Sequence, residues 1–187
     1  MGADINRIAV FGLSGVGKST SCRAFVQRHP EYLYVGASAV LREMLPSAMH
    51  LTSASALAEV QIPLARAIAS QVDGREKVIF DLHSLLDADE GPVKVPVDAI
   101  RIVAPTALVF LHLRVAQLAL RRAEATRPRT AMTLSELRSR QRKAKDQVRA
   151  YARTLQLPTA SAEAEDINAV ETAAIALGLV RVDSSPL

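Results

Sequence analysis

The sequence predicts an α/β domain whose parallel sheet is covered by helices on both faces. Three observations lead there. Short apolar runs at residues 8–11, 78–80 and 107–113 read as strands buried on both sides. Longer segments with helical spacing lie between them, as crossovers between parallel strands require. The first run leads directly into GLSGVGKST, Gly12 to Thr20, a glycine-rich turn that opens a helix.

In chain order, residues 8–11 form the first strand and 19–28 the first helix, ended by His29-Pro30. Residues 32–35 make a short second strand. Ser38 stands where it can cap a helix that begins at Ala39 and breaks at Pro46. Residues 47–55 are small and polar, a mobile connection. Residues 56–72 are apolar at helical spacing, with Pro63 at a kink or a start, and Asp73-Gly74 turns the chain. The strand at 78–80 ends in Asp81. Residues 87–96 read as a polar Gly/Pro loop, 97–103 as a short helix, 107–113 as a strand and 116–125 as a helix. Pro128, in Thr126-Arg127-Pro128-Arg129-Thr130, stops that helix. Residues 134–155 form a long charged helix, with Thr133 and Glu136 spaced as a capping box. Residues 157–160 read as a last strand, 167–177 as a last helix closed by Gly178, and 184–187 as a frayed tail.

The 187 residues fit one domain, and 49% of them are hydrophobic, enough for a core. The lone Cys22 excludes an intramolecular disulfide, and no Cys/His cluster has metal spacing. Residues 1–7 lack the apolar core of a signal peptide, and no apolar run is long enough to span a bilayer, so the expectation is a soluble cytoplasmic protein. The net charge is +4, unevenly spread: twelve Arg/Lys against three acidic residues lie between Arg114 and Arg153. Such a half calls for a polyanionic partner. The phosphates of a small nucleotide suffice; nucleic acid is the weaker candidate, because no aromatic residue for base stacking occurs in this stretch before Tyr151.

Gly12, Gly17, Lys18 and Ser19 match the phosphate-binding pattern G-x-x-x-x-G-K-[ST]. Its glycines let backbone N–H groups approach a triphosphate, and the helix that follows aims unpaired N–H groups and its positive dipole end at the same anion. Lys18 would reach the β- and γ-phosphates, and the Ser19 hydroxyl would ligate Mg²⁺. Asp81, at the end of a second apolar strand, would share that metal; alone it could equally be a helix cap. Charge that spreads over a migrating phosphoryl group calls for arginines. Arg122, Arg127 and Arg129 flank the Pro-broken corner, where a closing lid would hold them and exclude water. Arg42, past the second strand, suits the phosphate of an acceptor. Each of these arginines could instead be a solvated surface charge.

GLSGVGKST, ASAVLRE, VIFDLHS, PVDAI, ALVFLHL…LALRR and TRPR stand in the order found in adenylate kinases. The chain resembles that family, and the archaeal-type adenylate kinases with related small phosphate-loop kinases most of all, over nearly its whole length. The resemblance implies the P-loop NTPase fold, with a five-stranded parallel sheet in one kinase domain over residues 1–187. It implies an acceptor-binding lobe at 36–75 and an arginine-bearing lid at 124–134. Carried over by position, Gly12, Ser14, Gly15, Val16, Gly17, Lys18, Ser19, Thr20 and Arg122 look like the ATP-phosphate site. Arg42 looks like the acceptor-phosphate arginine, and Arg127 and Arg129 look like the lid arginines. His83 sits where the archaeal-type proteins also carry histidine; its expected part is a structural hydrogen bond behind Asp81. The chain departs from the pattern in three places. Residues 46–58 offer only His50 where an arginine is expected, Thr130 replaces an acidic lid residue, and Lys143 and Lys145 stand where an arginine is usual.

The expected activity is therefore ATP- and Mg²⁺-dependent phosphoryl transfer to a nucleoside monophosphate, with AMP as the first acceptor to try. Lys18, Arg127, Arg129 and Arg42 are the expected catalytic set, with Ser19 and Asp81 on the metal. Two alternatives stay open. One is a kinase for a hydroxyl-bearing small metabolite, with Asp81 or His83 as base. The other is a nucleotide-dependent switch whose basic helix binds a partner or RNA.

Overall fold

The computed structural model describes residues 5–47, 51–125 and 131–180. Among them, β1 (Asn6–Phe11) is the middle strand of a five-stranded, all-parallel sheet. β3 (Lys77–Asp81) and then β2 (Leu33–Gly36) lie to one side of it. β6 (Ala107–His112) and β7 (Thr159–Glu163) lie to the other. This is the expected α/β fold. Apolar strands without alternation become central because both faces are covered: Ile8, Ala9, Val10 and Phe11 are each 0% exposed. The register places Asp81 opposite Val10 on one side and Gly36 on the other. The chain therefore leaves β1, β2 and β3 at one edge of the sheet, where ligands of such sheets bind.

Two helical layers cover the sheet. α1 (Lys18–Arg28) and α8 (Ala169–Ala176) touch each other and the strands. α4 (Gln61–Gln71), α5 (Val97–Val103) and α7 (Leu134–Leu155) form the other layer, with α5 in contact with both of its neighbours. α7 buries Leu137, Ala144, Val148 and Tyr151 and turns its charges outward. Its start is the expected capping box: Thr133 Oγ1 accepts from Glu136 N at 3.2 Å, and Thr133 N donates to Glu136 Oε2 at 2.7 Å.

Four local expectations need correction. The segment 87–96 is not a loop: β4 (Leu85–Ala88) and β5 (Gly91–Lys94) pair as an antiparallel hairpin. Pro92 is tolerated because this two-stranded sheet is nearly all edge. The single helix expected over 56–72 is two, α3 (Ala54–Glu59) and α4, which meet at Val60. Pro63 falls in the first turn of α4, where the N–H it lacks would have had no helical partner. Ser38 lies inside α2 (Ala37–Met44), whose N-cap is Gly36, with no side-chain cap. β7 starts two residues later than expected, at Thr159, and runs to Glu163. The hairpin is tied to the segment before α4: Asp89 N donates to Thr52 O at 2.9 Å, and Ala54 N donates to Glu90 Oε2 at 2.9 Å.

Candidate active site

The loop between β1 and α1 is shaped by its glycines. Gly12 has φ +155°, and a Cβ there would lie 2.6 Å from Leu111 O, so no side chain fits. Gly17 caps α1 in the left-handed region, at φ 109°. No side chain caps α1 and no acidic residue occupies its first turn, so its N-terminal N–H groups remain available to an anion.

Lys18, Ser19 and Asp81 converge at the sheet edge. Lys18 is 6% exposed, and its Nζ donates to Gly12 O at 3.0 Å and lies 3.7 Å from Asp81 Oδ1. Ser19 Oγ donates to Asp81 Oδ2 at 2.5 Å. Tyr34, from β2, donates to the same oxygen at 3.4 Å, and its phenol is pushed above its ordinary range, chiefly by burial and then by the Asp81 charge. A hydroxyl and a carboxylate side by side fit Mg²⁺, a hard cation that takes one or two protein oxygens and completes its shell with water and phosphate. Among the described residues no group of three or more His, Cys, Asp or Glu could hold a metal by itself, which a site of that kind does not need.

Two adjacent arginines of α6 (Val115–Ala123) do different things. Arg121 Nη1 donates to Val16 O at 2.9 Å and to Ala164 O at 3.4 Å, and its side chain lines the main cavity. Arg122 Nη1 donates to Ser14 O at 3.2 Å, and Nη2 lies 3.8 Å from Asp87 Oδ2, with the side chain only 7% exposed. Arg140, from α7, meets the other Asp87 oxygen at 3.3 Å.

The main cavity, about 650 Å³, opens over the loop. Of the residues expected here, Ser14, Gly15, Gly17, Lys18, Ser19 and Thr20 line it, and so do Arg42, Asp81 and His83. Val16 is buried and offers its carbonyl to Arg121. A second cavity of about 340 Å³ adjoins the first, sharing Ser14, Ser38 and His83. Its walls are mostly apolar, from α3, α4, α5 and the hairpin, and include Leu57, Leu64, Ile68, Leu86 and Ile100. Arg127, Arg129, Thr130 and His50 lie outside the described residues.

The sequence reading missed Tyr34, Arg23, Arg121, Asp87 and Arg140. Arg23, on α1, lines the main cavity and lies over the Tyr34 ring at 5.6 Å. Its four-residue spacing from Ser19 along the helix was the available signal. Arg140 is one turn before Ala144 on the buried side of α7, a signal lost among six other basic residues of that helix.

A protein-family model described as AAA domain matches residues 11–138. Three solved structures share the fold. A gluconokinase from Sinorhizobium meliloti 1021 is 23% identical, with a TM-score of 0.57, covering 94% of this chain and 96% of that one. A sugar kinase from Janibacter sp. HTCC2649 is 15% identical, with a TM-score of 0.56, covering 94% and 95%. A shikimate kinase from Bacteroides thetaiotaomicron is 18% identical, with a TM-score of 0.54, covering 92% and 96%. No curated protein matches the chain at significant similarity. Among the described residues, no helix is long and apolar enough to cross a membrane.

Proposed function

The chain belongs to the AAA domain family, and from that premise we propose that it is an ATP-dependent phosphotransferase acting on a small molecule. The observation that carries the reading is the Lys18, Ser19 and Asp81 cluster at the floor of a 650 Å³ cavity lined further by Arg42, Arg23 and Arg121. A nucleotide-binding switch needs the loop and the carboxylate; it has no use for three further arginines lining the same cavity.

The division of labour follows from the chemistry. Lys18 and the N–H groups of residues 14–20 hold the donor's phosphates. Ser19 and Asp81 would hold Mg²⁺, which neutralises charge between the phosphates when bound. Arg121 stands on the donor side, beside Gly17 and Ala164. Arg42 and Arg23 receive the acceptor's charge. Arg127 and Arg129, by resemblance, belong to a lid over residues 124–134 that excludes water when it closes.

For the acceptor, a nucleoside monophosphate is the favoured class. Its phosphate would lie in the main cavity by Arg42, and its base in the adjoining apolar cavity, whose size and walls suit a ring. Residues 36–75, with α2 to α4, then serve as the acceptor lobe. A phosphate oxygen is already nucleophilic, so catalysis is alignment and charge neutralisation, with no dedicated base. The second reading is a hydroxyl-bearing metabolite. It is favoured by the fold shared with kinases of sugars and shikimate and by His83, which lines both cavities and could take a proton. A coupled assay for ADP formation, with ATP and Mg²⁺ against monophosphates, gluconate and shikimate in turn, separates them. Turnover with no acceptor at all, at hydrolysis rates only, sinks both.

A further inference from the structure

The apolar cavity has a polarity that its function must use. Among the described residues, no Lys or Arg lines it, and its single carboxylate is Asp87, on the hairpin strand β4. An amide joins it: Gln61 is 7% exposed, and with one Nε2 hydrogen donated to Leu57 O at 2.8 Å it keeps Oε1 and a second N–H. The strongest polar group facing this ring-sized space is thus a carboxylate, which only accepts hydrogen bonds. A carboxylate in an apolar wall costs desolvation energy unless it is compensated. Here two guanidinium groups compensate it from outside the cavity, Arg122 at 3.8 Å and Arg140 at 3.3 Å, one on each oxygen. A brace between α6 and α7 would serve as well buried; Asp87 instead keeps 37% of its side chain exposed and forms part of the wall.

Resting on the nucleoside monophosphate reading, we propose that Asp87 is the specificity-determining residue of the acceptor cavity, and that it selects acceptors presenting an exocyclic amino group. Arg122 and Arg140 position it. A ring with an exocyclic amino group satisfies the carboxylate. An isosteric ring with a carbonyl at the same place leaves the carboxylate facing an oxygen, which both lacks a hydrogen bond and repels.

The test uses acceptor pairs that exchange the exocyclic amino group for a carbonyl, and with it turn the ring nitrogen beside it from acceptor to N–H donor, AMP against IMP and CMP against UMP, with ATP and Mg²⁺. The full-length protein should favour the amino member of the pair it accepts by about 10- to 100-fold in kcat/KM, the range for a hydrogen bond to a charged group. Asp87→Asn, which can itself donate to a carbonyl, should bring that ratio to within a few-fold of one, mostly through KM. Turnover of monophosphates with an unchanged ratio in Asp87→Asn overturns the inference while leaving the kinase reading intact. Loss of turnover with all four acceptors alike also overturns it, since that is what a brace for Arg122 would give. No turnover of any monophosphate by the unaltered protein overturns the acceptor reading, and the inference with it.

Discussion

Ser19 Oγ and Asp81 Oδ2 are 2.5 Å apart, across the gap between the first turn of α1 and the end of β3. Two hard oxygens that the chain separates by 62 positions meet beside the buried Lys18 ammonium. Asp81→Asn keeps the shape and removes the charge. Steady-state assays should show a turnover loss on the order of 10²-fold and a raised Mg²⁺ requirement. Lys18→Ala removes a cation that nothing else on the loop supplies, and the loss should reach the order of 10³-fold or more. Activity within a few-fold of normal in either variant would take that residue out of the site.

Gly12→Ala should damage the fold before it damages the chemistry. The new methyl meets Leu111 O at 2.6 Å, and φ of +155° is hostile to any side chain. Backbone atoms of β1 and β6 must part, in a sheet where Val10 pairs Val109 and Phe11 pairs Phe110. Strain of this kind costs roughly 1–3 kcal/mol, with the clash added to it. Urea unfolding is the measurement, and an unchanged midpoint would mean that the loop backbone relaxes freely.

Neighbouring arginines make an internal control. Arg121 lines the cavity and holds Val16 O and Ala164 O, so Arg121→Ala should raise KM for ATP. Arg122 is spent on Ser14 O and Asp87. Its loss leaves the half-exposed Asp87 with Arg140 alone, so Arg122→Ala should lower thermal stability and reduce kcat/KM for donor and acceptor together. Identical effects in the two variants would contradict the division of roles.

How much of this could be read from the chain depended on how local the signal was. GLSGVGKST, Asp81 and the buried strands announce themselves, because a motif or an apolar run is a local pattern. The Thr133 and Glu136 cap is local too. The hairpin was hidden because its strands are four residues each, carry Gly91, Pro92 and Asp87, and enclose Asp89 and Glu90, the usual signs of a loop. Asp87, Arg140 and Tyr34 were hidden for another reason. Each matters through a partner far along the chain: Tyr34 through Asp81, and Asp87 through Arg122 and Arg140. Arg42 was legible from its place after the second strand, and it does line the main cavity.

Arg42 leads to a prediction about the acceptor alone. It lines the main cavity, as do Arg23 and Arg121, and residues 46–58 carry no arginine to share its task. Arg42→Ala should therefore raise KM for a phosphorylated acceptor by about 10- to 100-fold, as loss of a charge-assisted bond implies, and leave the affinity for ATP within a few-fold. Direct titration of an ATP analogue beside acceptor kinetics checks both halves. A matched loss of ATP affinity would move Arg42 to the donor side.

The cap of α7 offers a test of how the arginine frame is held. Glu136's carboxyl is drawn below the usual value of 4.5 by hydrogen bonds from the Thr133 backbone N–H and then its hydroxyl, with Arg140 adding its charge. A group whose folded value is depressed stabilises the fold above its unfolded value, and that contribution fades as pH falls through the lower, folded value. Glu136→Gln keeps the cap's shape without the charge. It should melt below the unaltered protein at neutral pH, and the gap should shrink as the pH falls from 4.5 through the lower, folded value. Thr133→Ala, which removes the hydroxyl that Glu136 N donates to, should cost about 1 kcal/mol at any pH where Glu136 is charged. A Glu136→Gln gap that stays constant from neutral to acid pH would show that packing rather than charge fixes the start of the helix that carries Arg140.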